Sequence, residues 1–128
     1  TYTAKINMKS GDITGGSDSY GNNLTLYNNK LYGMTTYGGT SGYGIVFEYD
    51  PGANKFSKKI DLTTNLGVYS TNSLTLYNNK LYCLSTYGGM YDGGTLAEYD
   101  PEKNIYTKKV DFGKYEIASA FIPNGSTT

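Results

Sequence analysis

The nine residues LTLYNNKLY at 24–32 return letter for letter at 74–82. Sliding the chain by 50 positions lays 23–62 over 73–112 without a gap, and 22 of the 40 pairs are identical. The matches cluster as LTLYNNKLY, then TYGG at 36–39 and 86–89, then EYDP at 48–51 and 98–101. Lys58-Lys59 and Lys108-Lys109 follow, ahead of Ile60 and Val110. A chain of 128 residues has room for one ordinary domain. A duplicated unit of this length is therefore a supersecondary element completed by its neighbours, not a domain in its own right.

Within each unit the pattern spells four short strands. Leu24 and Leu26 alternate with Thr25 and Tyr27, and Asn28-Asn29 supplies a tight turn because Asn tolerates the left-handed backbone that hairpins need. A second strand is expected from about Lys30 to Tyr37, ending on Gly38-Gly39. A third, Ile45 to Tyr49, stops at Asp50-Pro51, since Pro has no N–H to continue a ladder. The fourth alternates Phe56, Lys58, Ile60 and Leu62 against Lys55, Ser57, Lys59 and Asp61. No stretch shows helical periodicity. The expected fold class is all-β: tandem four-stranded antiparallel meanders, about two complete units with a flanking strand at each end.

Composition narrows the function classes. The chain has 15 Tyr and 17 Gly, suited to strands and turns. Lys is the only cation, because Arg and His are absent, and 11 Lys balance 11 acidic residues. A balanced charge offers no general attraction to nucleic acid and no polybasic patch for a membrane surface. No apolar run is long enough to span a bilayer as a helix, so neither nucleic acid nor membrane insertion is expected. Lacking His, the chain also lacks the commonest metal ligand and the usual general base at neutral pH. The expectation is a non-enzymatic protein with no cofactor and no bound metal.

Four strands per 40–50 residues is the period of a β-propeller blade. Each unit resembles a kelch-type blade: Gly38-Gly39 after the second strand, then Tyr49, then an aromatic at Phe56; the second copy reads Gly88-Gly89, Tyr99, Tyr106. Kelch blades usually carry Trp where Phe56 and Tyr106 stand. The pattern KLYG-x-T-x-YGG…G-x-VFEYDP is also similar to the GloVer tandem repeats of bacterial surface and secreted proteins. Lys30-Leu31-Tyr32-Gly33 and Gly44-Ile45-Val46-Phe47 carry that likeness, while the second copy has Cys83 for Gly33 and Thr95-Leu96-Ala97 for Ile45-Val46-Phe47. Both resemblances imply propeller-like blades, and the second implies an extracellular or cell-surface location.

The ends extend the pattern. TYTAKIN at 1–7 lines up with KFSKKID at 55–61, and SAFIPNG at 119–125 lines up with SLTLYNN at 73–79. The expected division is 1–22 as the last strand of a preceding blade with its loop, 23–72 and 73–112 as the two blades, and 113–128 as the first strand of a further blade. Two blades do not close a ring, which normally needs at least four. The expected partners are further blades of a longer chain or other copies of this one. The connectors at 8–22 and 63–72 read as surface loops, the usual place for binding on a rigid scaffold.

Few residues invite a chemical reading. Gly38-Gly39 and Gly88-Gly89 lack the strand-to-helix context of a phosphate-binding loop and read as structural turns. Glu48, Asp50, Glu98 and Asp100 recur at equivalent positions, which favours a turn role over the paired carboxylates of a glycosidase. Asp12 and Asp18 lack the spacing of known calcium loops. Asn23 and Asn124 match the glycosylation pattern. Cys83 is the single cysteine and stands where the first copy has Gly33, so it reads as a small residue in a tight place. Tyr43, Tyr69 and Tyr91 lie in the variable loops, where exposed rings would stack on a sugar. They are the candidate binding residues of the second functional expectation, a carbohydrate- or protein-binding segment using its loop face. The first is a structural or adhesive repeat module. A propeller hydrolase is disfavoured by the absence of His and Arg.

Overall fold

The computed structural model describes residues 2–6, 23–70 and 73–113. It contains two four-stranded antiparallel meanders and, among the described residues, no helix. The first sheet runs β1 (Thr25–Tyr27), β2 (Lys30–Met34), β3 (Ile45–Asp50) and β4 (Lys55–Asp61). The second runs β5 (Thr75–Tyr77), β6 (Lys80–Leu84), β7 (Thr95–Asp100) and β8 (Ile105–Asp111). Strand order equals chain order in both. Even the register shift recurs, between Val46 and Phe47 and between Leu96 and Ala97.

Side-chain chemistry at the turns explains the repeated motifs. Asn28 and Asn29 have φ of 52° and 61°, and Asn78 and Asn79 have 50° and 63°. Two consecutive left-handed residues make the hairpin turn whose twist matches the flanking strands. At the next turn Asp50 Oδ1 accepts the amides of Gly52 and Ala53, and Asp100 Oδ1 accepts those of Glu102 and Lys103. Asn54 and Asn104 end these turns with positive φ, each accepting the hydroxyl of the tyrosine five residues earlier, Tyr49 or Tyr99.

The loop after β2 begins sooner than its spacing predicts, at Thr35 instead of after Tyr37. Thr35 Oγ1 accepts the Ile45 amide at 3.1 Å and donates to the Tyr37 carbonyl at 3.0 Å, so the hydroxyl bends the chain out of the ladder. Ser85 repeats both contacts, with the Thr95 amide and the Tyr87 carbonyl. Gly44 closes the loop at φ +102°, and a Cβ there would lie 2.3 Å from the Thr35 carbonyl. Only glycine fits.

The two sheets stack face on face. Tyr32, Met34 and Val46 of the first interleave with Leu74, Leu81, Cys83, Ala97 and Tyr99 of the second, with Leu62 in the same core. The Tyr32 and Tyr99 rings meet across the junction at 6.3 Å. Polar contacts stitch its margins. The Asn23 amide donates to Ser73 Oγ, Thr25 Oγ1 to the Leu74 carbonyl, and the Tyr27 hydroxyl to Glu102 at 2.6 Å. The connector between sheets is more than a surface loop. Val68 is buried and pairs with Tyr87, Gly89 donates to the Thr64 carbonyl, and buried Ser70 donates to the Leu84 carbonyl.

One exchange between the copies is compensated. Gly33 lies opposite Phe47, and Cys83 lies opposite Ala97. A Cβ at Gly33 would come within 2.6 Å of Phe47 Cζ. A large ring therefore needs a glycine partner, while the small alanine leaves room for a thiol. We expect Gly33→Cys and Phe47→Ala each to destabilise the protein, and the double variant to be more stable than their sum by about 1 kcal/mol or more. Denaturant unfolding of the four proteins measures that coupling, and simple additivity would refute it.

Candidate functional site

Equivalent residues of the two sheets differ in burial in a way that locates the unfilled surfaces. On one face, called here the leading face, Leu24, Leu31, Phe47, Tyr49 and Phe56 correspond to Leu74, Leu81, Ala97, Tyr99 and Tyr106. The second set packs into or against the core between the sheets. The first lines an open hollow of about 310 Å³, and Leu24 is 53% exposed where Leu74 is 3%. On the opposite, trailing face the contrast reverses. Met34 is 1% exposed where Leu84 is 44%. Tyr82, Leu84, Leu96, Ser73 and Thr75 line an open hollow of about 450 Å³. Among the described residues each sheet thus has one covered face and one open face, and the open ones are opposite in kind.

Residues 2–6 form no strand, but Lys5 and Ile6 border the open leading face. Ile6 borders the hollow lined by Leu24, Leu31, Phe47, Tyr49 and Phe56; its counterpart in the alignment of 1–7 with 55–61, Ile60, packs against the core between the sheets. The segment 119–125 lies outside the described residues, as do Asp12, Asp18 and Asn124.

At the loop end the structure brings Tyr43 and Tyr69 together. Tyr69, on the connector with φ +57°, is the centre of an aromatic cluster. Its ring meets Tyr37 at 5.3 Å, Tyr43 at 5.5 Å and Tyr87 at 6.2 Å, all edge-on. Such contacts suit the ring quadrupole. Tyr91 stands in the loop between β6 and β7, partly exposed. Tyr37 and Tyr87 are 41% and 53% exposed and belong to the cluster. Both sit in the repeated TYGG motif, whose glycines make the turn, so the repeat by itself gives no sign of their place in the cluster.

The repeated acids are occupied with structure. Glu48 and Glu98 accept the hydroxyls of Tyr32 and Tyr82 at 2.7 and 2.6 Å. Asp61 accepts the Thr40 amide at 2.8 Å and pairs with Lys58; Asp111 does the same with Met90 and Lys108. Burial opposes ionisation of Asp61, but Lys58 and Thr40 outweigh it and hold the carboxyl below its usual range. For Asp111 the Met90 amide is the main cause of the same lowering. Each aspartate thereby ties the Gly-Gly loop to the outermost strand. The two Gly-Gly pairs are left-handed throughout, and a Cβ at Gly39 would strike Ile45 and Asp61.

Cys83 is buried at the junction, with Sγ 3.0 Å from the Tyr106 hydroxyl. Burial pushes its thiol up to about 11, against a smaller pull from Tyr106. Burial likewise raises Tyr106. The folded protein therefore keeps protons that the unfolded chain releases, so this stabilisation is complete below the ordinary thiol value of 9.0 and is lost as pH rises towards 11. Urea midpoints measured between about pH 8 and about pH 10 should fall, and Cys83→Ala should lessen the fall. At the lower pH the native thiol should alkylate far more slowly than the unfolded one; equal rates would contradict its burial.

No family model matches the chain, and no curated protein matches it.

Proposed function

We propose that this chain is a non-catalytic structural or adhesive repeat module, working by stacking its sheets against further sheets of the same kind. The observation that carries this reading is the pair of open faces, each the counterpart of one buried between the two sheets. Fully burying a side chain such as Leu24 or Leu84 contributes roughly 1.5–3 kcal/mol. Several on each face together are comparable with the association cost of about 4–15 kcal/mol. The stacking partners are further blades of a longer chain or other copies. The likeness to GloVer repeats supports a secreted or cell-surface setting, and that to kelch blades supports a propeller-type arrangement.

A second reading has its own observation. The ring cluster of Tyr37, Tyr43, Tyr69 and Tyr87 offers aromatic surface at the loop end, the kind that stacks on sugars or on a protein ligand.

Light scattering on the full chain separates the two. Stacking predicts a discrete particle heavier than the 14.0 kDa chain, driven towards monomer by Leu24→Asp or Leu84→Asp. A stable monomer that gives no larger species on concentration would overturn it. Retention on a glycan panel, lost in Tyr43→Ala or Tyr69→Ala, would favour the loop-face reading instead.

A further inference from the structure

Resting on the stacking reading, we propose that the partner is a second copy of this chain. Its second sheet lays its trailing face on the leading face of the first sheet, in the register already present between the two sheets of one molecule.

Both halves of that contact are present in one molecule. The internal junction joins the trailing face of sheet one to the leading face of sheet two. The open trailing face keeps its chemistry position by position. Tyr82 stands for Tyr32, Leu84 for Met34, Leu96 for Val46, Glu98 for Glu48 and Val110 for Ile60. The open leading face keeps Leu24, Leu31 and Tyr49 for Leu74, Leu81 and Tyr99. Its one large change, Gly33 with Phe47 for Cys83 with Ala97, is compensated in volume. At the margin, Thr75 is placed to donate to the Leu24 carbonyl of the second copy, as Thr25 donates to that of Leu74 within one chain.

Two details distinguish the copies' junction from the internal one. Tyr27 donates to Glu102, but its counterpart Tyr77 would face Gly52, the residue equivalent to Glu102, which has no acceptor side chain. Ile6, 38% exposed, borders the place that Val110 of the incoming sheet would take. The contact is head to tail, so it generates a ring if the rotation closes and an open filament if it does not. Rings of four to eight blades correspond to roughly two to four copies.

The test uses the full chain. Gly52→Glu supplies the missing acceptor and should tighten self-association about threefold to tenfold, as one exposed hydrogen bond allows. Tyr77→Phe should erase that gain. Removing residues 1–6 should also tighten association, by vacating the place of Ile6. Cysteines introduced together by Gly52→Cys and Tyr77→Cys should be joined between chains by a short bis-maleimide, giving covalent multimers on denaturing gels. Either substitution alone should not.

The outcomes separate this register from the broader reading. Assembly that persists without a Gly52→Glu effect, with Tyr77→Cys alone linking chains, would mean that two trailing faces meet and would overturn the register while leaving stacking intact. Assembly lost on removing residues 1–6 would assign them to a partly built blade and also overturn it. A chain that stays monomeric in every variant would overturn both proposals.

Discussion

The burial of one sheet face against the opposite face of the next is what the rest of this structure depends on. A four-stranded meander of this kind carries apolar side chains on both faces, and its short strands cannot hold themselves together in water. Stacking supplies the core: Tyr32, Met34 and Val46 share one cluster with Leu62, Leu74, Leu81, Cys83, Ala97 and Tyr99. The same stacking leaves, among the described residues, the leading face of the first sheet and the trailing face of the second open.

The two ends of each blade divide the work. At one end the Asn-Asn hairpins and the Asp-Pro turns are nearly identical in both copies, each closed by its own side chains. At the other end the connector crosses between sheets, and Val68, Ser70 and Leu66 anchor the second blade's loop through Tyr87, Leu84 and Thr95. Thr95, which stands where the first sheet has Ile45, donates its hydroxyl to the Leu66 carbonyl.

How much of this was legible beforehand depends on where the information resides. The meander was readable, because alternation, Asn-Asn and Asp-Pro are local signals with local causes. The early end of β2 was not, since it turns on a Thr35 hydroxyl reaching Ile45 ten residues away. The stacking partners of each face were likewise hidden; a repeat announces that units pack but not which face meets which. Of the candidate loop residues, Tyr43 and Tyr69 do come together, yet Tyr37 and Tyr87 join them through a connector whose left-handed Tyr69 no spacing rule marks. The roles of Asp50 and Asp100 were accessible because a side-chain oxygen capping the next two amides is a matter of sequence neighbours.

The ion pairs have a consequence for what holds the two sheets together. Lys30–Asp50, Lys58–Asp61 and Lys59–Glu48 recur as Lys80–Asp100, Lys108–Asp111 and Lys109–Glu98, and all of them close within their own blade. Surface pairs of this kind add little to stability, and none of these six bridges the two sheets. What joins one sheet to the next is apolar packing together with a few hydroxyl and amide hydrogen bonds at the margin.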